Sequence, residues 1–91
     1  MKTRTEKSIL TEIRRVLESR GYVVIKIHGG PMQPVGVPDL LAMKDGRANW
    51  VEVKRLGCAT TKIQDHVAAR LRGAGCTVIV ARCVEDVKEL V

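Results

Sequence analysis

The sequence predicts an α/β fold in which a mixed central sheet is flanked by helices. An amphipathic segment at the start is followed by three short segments with strand character, a second amphipathic segment and a last apolar strand. The predicted order is therefore helix, three strands, helix and strand, followed by a short C-terminal helix. A strand that follows a helix of this length joins its sheet by a crossover, which makes the sheet mixed and packs helices on it.

The first helix is predicted over about residues 5 to 20, with Gly21 as its end. Apolar residues recur along it at helical spacing and form one stripe: Ile9, Leu10, Ile13, Val16 and Leu17. A strand over residues 22 to 28 follows. The loop over residues 29 to 37 is rich in glycine and proline, and loops of this kind beside a site commonly carry function.

The second helix is predicted over about residues 61 to 73, with Ile63, Val67 and Leu71 on its core face. The last strand is predicted over residues 76 to 82. The tail over residues 84 to 91 has valines at near-helical spacing, which indicates either a lid on the core or a dimer contact.

A turn at Asp45-Gly46 sets the geometry of the middle of the chain, because this dipeptide favours two-residue hairpin loops. It joins strands predicted over residues 38 to 44 and 47 to 54. If Lys44 pairs with Arg47, Asp39 falls opposite Glu52, with Cβ atoms roughly 4.5–5.5 Å apart. Two carboxylates this close favour a divalent cation between them.

Strand alternation places Lys54 on the same face as Glu52. A three-residue loop would put Asp39 and Glu52 on opposite faces, so the prediction depends on the loop having two residues. Helical phase places Glu6 in the middle of the first apolar stripe. Glu6 is therefore either a third carboxylate reaching the pair or an acid that the helix dipole stabilises in the first turn. Gln64 lies at the edge of the second stripe, either to orient water or phosphate or with no role.

Composition indicates one small domain, over residues 1–91, with a polyanionic partner. The formal net charge is +6, and nucleic acid is the first candidate for the partner. Trp50 and Tyr22 are the only aromatic residues, which argues against recognition by base stacking. We expect no membrane span and no signal peptide. Three widely spaced cysteines indicate a reducing, intracellular compartment and small buried side chains rather than a zinc site.

Over nearly its whole length the chain resembles a stand-alone VRR-NUC domain of the PD-(D/E)xK nuclease superfamily. The matching residues occur in the family's order: Glu6, Ile9, Ile13, Leu17, Gly21, Lys26, His28-Gly29, Gly36-Val37-Pro38-Asp39-Leu40-Leu41, Glu52-Val53-Lys54, Gln64 and Gly75. The stretch from Leu56 to Thr60 departs from the pattern, because it lacks the proline expected before the glutamine helix. The resemblance implies a restriction-endonuclease-like αβββαβ core with a short C-terminal helix.

The resemblance also implies Mg²⁺ or Mn²⁺ held by Asp39, Glu52 and the Val53 backbone carbonyl, with Glu6 completing or supporting the shell. No small-molecule cofactor is expected. A metal-bound water would attack the phosphodiester, and Lys54 would position that water or offset charge in the transition state. Gln64 is included as a further catalytic candidate, and His28 is either a secondary candidate or a satisfied histidine at a strand end.

The function that follows is a structure-specific DNA endonuclease, cutting branched DNA or Holliday junctions as a homodimer in the cytoplasm of a bacterium or phage-infected host. The candidate DNA-binding residues are basic or lie beside the loop: Arg4, Lys7, Arg14, Arg15, Lys26, His28 and Arg55. Each is also compatible with an ordinary solvated side chain. The alternatives are a non-catalytic DNA-binding module with the same fold, and a nuclease that acts on RNA.

Overall fold

The computed structural model describes residues 4–32 and 34–90 and confirms the predicted α/β fold. Two α-helices and four strands occur in the predicted order: α1 Glu6–Ser19, β1 Val23–Lys26, β2 Leu40–Lys44, β3 Arg47–Val53, α2 Lys62–Gly73 and β4 Thr77–Ala81. A 3₁₀ helix spans Val84–Leu90. The predicted tail helix is thus 3₁₀ rather than α, and Val91 lies outside the described residues.

The sheet has the strand order β1-β2-β3-β4. β2 pairs antiparallel with both β1 and β3, whereas β3 and β4 are parallel. Lys44 pairs with Arg47, which confirms the two-residue loop. Positive φ angles of 53° at Asp45 and 76° at Gly46 fit the tight hairpin turn that this dipeptide favours. The chain passes from β3 through α2 to β4, which is the predicted crossover.

The core lies between α1 and one face of the sheet. Ile9, Ile13 and Leu17 are buried along α1, which confirms the predicted stripe. They pack with buried side chains from all four strands and the 3₁₀ helix: Tyr22, Val24, Leu40, Ala42, Val51, Val53, Ala81 and Val87. The helix begins at Glu6 because the Thr5 hydroxyl accepts the Ser8 N–H at 3.0 Å. This packing fixes the first turn of α1 beside one end of the β2–β3 hairpin.

The predicted core face of α2 is wrong at Ile63, whose side chain is 52% exposed. Ala68 is the buried residue of this helix, and Val67 and Leu71 are half-buried. The helix packs on β4 at the sheet edge, so only a narrow side of it meets the core. The cysteines are half-buried and free rather than fully buried. Within residues 4–32 and 34–90, no helix is long and apolar enough to cross a membrane.

Candidate metal centre

The register of the hairpin brings Asp39 beside the end of β3. Pairing runs from Lys44–Arg47 to Leu40–Val51, and its continuation sets Asp39 against Glu52. Oδ2 of Asp39 accepts the backbone N–H of Val53 at 2.7 Å. This bond holds the Asp39 carboxylate at the end of β3, where the sequence predicts it.

Pro38 removes the backbone donor that would face the Val53 carbonyl. The Lys54 N–H donates to the Ala81 carbonyl on β4 at 3.0 Å. Successive residues of a strand direct their backbone groups to opposite neighbours, so those of Val53 point toward β2. Continued pairing sets Val53 against Pro38, which has no N–H. The Val53 carbonyl therefore faces a residue that cannot donate to it, while the Val53 N–H donates to the Asp39 side chain.

Glu52 is a buried carboxyl group with one oxygen bonded and one oxygen without a partner. Its side chain is 5% exposed. Oε1 accepts from Nε2 of Gln64 at 3.2 Å. Oε2 is buried and has no hydrogen-bond donor among the described residues. A buried acceptor without a donor costs about 1–3 kcal/mol, so this oxygen marks a position that a cation would satisfy.

The surroundings raise the pKa of Glu52 from its ordinary value of 4.5 to about 8. Burial is the main cause, followed by a hydrogen bond with Asp39 and the negative charge of Asp39. That hydrogen bond exists only when one of the two carboxyl groups carries a proton, because two carboxylates are both acceptors. With both groups ionised, Oε2 of Glu52 has no described donor. Lys54 opposes the rise in pKa and Glu6 adds to it. The charged residues Asp39, Lys54 and Glu6 therefore all affect the pKa of the buried Glu52 carboxyl group.

The donor set fits a hard divalent cation such as Mg²⁺ or Mn²⁺. One oxygen of Asp39 and one of Glu52 are free of protein donors in the bonds described above, and the Asp39 side chain is bonded to the backbone of Val53. In the described ranges, no three His, Cys, Asp or Glu side chains are close enough together to hold a metal ion. Glu6 thus stands apart from the pair as the structure has it, although it lines the same groove as Asp39.

Both ends of the Gln64 side-chain amide are hydrogen-bonded, one to the cap of α2 and the other to Glu52. Oε1 accepts the Thr61 N–H at 2.9 Å, while the Gln64 N–H donates to the Thr61 hydroxyl at 3.2 Å. These two bonds form a capping box at the start of α2. Since Oε1 is bonded to the cap, Nε2 is directed to Glu52. Gln64 therefore positions Glu52. Thr61 was missed as a supporting residue, although the Thr-x-x-Gln spacing was visible in the sequence.

Gly36 packs against the first turn of α2, a contact that the sequence did not predict. Its φ is +88°, and a Cβ atom at this position would lie 2.5 Å from Cγ2 of Ile63. Ile63 precedes Gln64, so this contact places the loop before Asp39 against the helix that positions Glu52. The loop and the helix are held together only because residue 36 lacks a side chain.

A groove of about 470 Å³ runs from the site along α1 and β1. Three of the predicted DNA-binding residues, Lys7, Arg14 and Lys26, line it together with Glu6 and Asp39. Arg14 also lies 3.6 Å from Glu18 and donates to the Val24 carbonyl at 3.4 Å. The groove therefore presents cationic side chains that lead to the carboxylate pair.

The other predicted DNA contacts do not line this groove. Arg15, His28 and Arg55 are exposed. Arg4 is paired with Glu12 at 2.7 Å and donates to Ser8. The structure thus divides the predicted basic residues into a set beside the carboxylates and a set elsewhere on the surface.

Two solved structures resemble the chain over nearly all of its length. One, a VRR-NUC domain, has 26% identity and a TM-score of 0.79, with 93% of this chain and 91% of that chain covered. Another, a VRR-NUC domain protein, has a TM-score of 0.80 with 98% and 86% covered. Its identity of 18% supports the fold alone. No family model and no curated protein matches the chain.

The similarity to these structures shows the class of protein, because the mixed sheet with its flanking helices is the fold of a nuclease-like domain. Within that class, the chain is similar to VRR-NUC domains over nearly its whole length.

Proposed function

We propose that this domain is a divalent-metal-dependent endonuclease that hydrolyses phosphodiester bonds in branched DNA. The observation that carries the proposal is the Glu52 carboxyl group, buried beside Asp39 with Oε2 lacking any described donor. An ionised carboxylate in that position would be costly unless a proton or a cation neutralised it. A bound cation that neutralises the Glu52 carboxylate would explain why this group is buried. A nuclease function would explain why a cation binds there.

Asp39, Glu52 and the Val53 carbonyl are the groups that would hold Mg²⁺ or Mn²⁺. When bound, the metal supplies a water of lowered pKa and offsets charge on the phosphate. Asp39 is fixed for this role by its bond to the Val53 N–H. Gln64 holds Oε1 of Glu52 and leaves Oε2 without a described donor. Lys54, half-buried at the end of β3, carries the positive charge nearest to this pair in sequence and would stabilise the developing negative charge.

The basic groove supports DNA as the substrate. Lys7, Arg14 and Lys26 lie along one groove with Asp39, so a backbone bound there would pass the carboxylates. Phosphate contacts of this kind position a duplex without reading its sequence. The scarcity of aromatic side chains agrees with recognition of DNA shape rather than of bases.

The edge strand β1 supports the homodimer. Val23 is 62% exposed and Ile25 is 47% exposed on one side of this strand, and β1 lies at the edge of the sheet. An open edge with apolar side chains is a ready site for pairing with another chain. A two-fold dimer would present two cutting sites to a branched substrate. The free cysteines agree with action in a reducing, intracellular compartment.

Cleavage of labelled substrates tests the proposal. Four-way, forked and linear DNA and a duplex RNA are incubated with Mg²⁺, Mn²⁺ or EDTA, using the wild type and Glu52→Gln. We expect metal-dependent cutting of branched DNA, absent in EDTA and in Glu52→Gln. Binding of DNA without cutting under every metal condition would instead show a non-catalytic module. Preferential cutting of RNA would assign a different substrate.

A further inference from the structure

Leu56 is an exposed apolar side chain beside the site. It is 83% exposed and lies two residues after Lys54. Arg55 precedes it, and the chain has a net charge of +6. A solvent-exposed leucine does not stabilise the fold through burial, and a single exposed leucine is ordinary on a protein surface. The turn that carries Leu56 and the other apolar side chains in nearby segments distinguish this leucine from an ordinary exposed one.

The turn that carries Leu56 is fixed at both ends. The Cys58 N–H donates to the Arg55 carbonyl at 3.0 Å, and Gly57 has a φ of +82°. This combination fits a β-turn in which Leu56 occupies the projecting second position. The Arg82 guanidinium donates to the Cys58 carbonyl through Nε at 3.2 Å and Nη2 at 2.7 Å. The leucine is therefore displayed on a turn anchored to the end of β4.

Other exposed apolar side chains occur in segments joined to the same site. Met32 and Val35 are 94% and 72% exposed in the loop that leads to Asp39. Val35 lines a cavity of about 310 Å³ together with Asp39. Ile63, 52% exposed, precedes Gln64. Among the described residues, four of the six exposed large apolar side chains thus lie in the three segments that supply the carboxylates and their positioning residue, and the other two, Val23 and Ile25, lie on β1.

We propose that Leu56 inserts against an unstacked base at the branch point of the DNA while the adjoining phosphodiester lies at Asp39 and Glu52. An intact duplex presents phosphates and sugars to this turn and offers little apolar surface to a leucine. Bases that have lost a stacking neighbour expose an apolar face, and leucine is among the side chains that wedge between base steps. Contact with Leu56 then favours distorted over intact DNA. This inference rests on the proposed nuclease function.

The test compares Leu56→Ser with Leu56→Met, which keeps an apolar side chain, and with Ala69→Ser, which changes an exposed apolar residue on α2. A four-way junction carries 2-aminopurine at the branch point, and binding is measured with Ca²⁺ in place of Mg²⁺. With the wild type we expect the fluorescence to rise as the base unstacks. Leu56→Ser should lose most of that rise and bind the junction roughly ten- to a hundredfold more weakly, with linear duplex affinity unchanged. Leu56→Met should retain both.

Three results would overturn the inference. Equal junction preference in Leu56→Ser and wild type would show that the leucine contacts no base. An equal loss in Ala69→Ser would show a general effect of apolar surface. Conversion of Leu56→Ser to a smaller species in sedimentation would assign the leucine to a contact between two copies of the chain. Metal-dependent cutting by wild type separates these results from a failure of the nuclease proposal, in which no variant would cut.

Discussion

Nε2 of Gln64 donates to Oε1 of Glu52 at 3.2 Å, while the other oxygen of the same buried carboxyl group has no described donor. One oxygen of the carboxyl group is therefore held in place by a hydrogen bond, and the other oxygen is free. This arrangement arises because the capping box of α2 occupies the amide oxygen of Gln64 and leaves only its N–H₂ to face β3. The start of a helix and the end of a strand thus fix one ligand oxygen.

Loss of Gln64 should reduce activity without reducing DNA affinity. In Gln64→Ala, Oε1 of Glu52 loses its donor, and changes to groups that orient a metal ligand typically cost about 10–100-fold in metal affinity or activity. Thr61→Ala is the matched control. It loses a comparable cap interaction, worth about 1 kcal/mol, but keeps the backbone N–H that orients Gln64. Single-turnover cleavage and thermal unfolding of both variants separate the two effects, and equal cleavage rates would show that Gln64 acts only as a cap.

The stability of the metal-free protein should fall as pH rises from about 5 to 8. Glu52 ionises near 4.5 in the unfolded chain but near 8 in the folded protein. Between these values the folded state holds a proton that the unfolded state has released, so raising the pH favours unfolding. The loss approaches roughly 3–5 kcal/mol. Urea unfolding in EDTA across this range should show the slope, and Glu52→Gln should flatten it. A slope that persists in Glu52→Gln would assign it to other groups.

Gly36→Ala should destabilise the protein by roughly 1–3 kcal/mol or more. The residue has a φ of +88°, and an added Cβ would lie 2.5 Å from Ile63. Gly30→Ala is the control, since a Cβ there meets nothing within 4 Å. Ile63→Ala in the Gly36→Ala background should recover only part of the loss, because the backbone strain remains. Thermal unfolding measures all three, and equal effects of the two glycine changes would contradict the packing described.

Removing charge from Lys7 and Lys26 should weaken DNA binding similarly for every sequence. Both line the groove that leads to Asp39, and each lost phosphate contact should lower the slope of log affinity against log salt by about 1. Arg47→Gln at the opposite end of the hairpin is the control, because that end carries the turn rather than the carboxylates. Fluorescence anisotropy with a labelled duplex measures these slopes. If the salt dependence changed only in Arg47→Gln, the DNA would bind outside the groove that Lys7 and Lys26 line.

Local patterns predicted the strands around the site well because the hairpin is a short-range structure. Asp45-Gly46 determines the loop length, and the loop length determines which residues face each other, so the alignment of Asp39 with Glu52 needed no knowledge of the rest of the fold. The exposure of Ile63 was not predictable in this way. Helical periodicity shows which residues share a face, but only the tertiary arrangement shows how much of that face the sheet covers.

The contacts that support the site were harder to predict for the same reason. The Gly36–Ile63 contact joins segments far apart in the chain, and a glycine in a flexible-looking loop gives no sign of its partner. Glu6 has the helical phase expected of a site residue. Its distance from the carboxylate pair, however, depends on how α1 lies across the sheet, which the sequence does not specify.

Binding of Mn²⁺ to the DNA-free protein tests most directly whether Asp39 and Glu52 form a metal centre. Calorimetry at pH 7, in two buffers with different heats of ionisation, would compare the wild type with Glu52→Gln and with Glu12→Gln, a surface control paired with Arg4. We predict that the wild type and Glu12→Gln bind Mn²⁺ and release about one proton, because the pKa of Glu52 lies near 8 without metal. Glu52→Gln should lose both the binding and the proton release. Unchanged Mn²⁺ affinity in Glu52→Gln would contradict the metal centre.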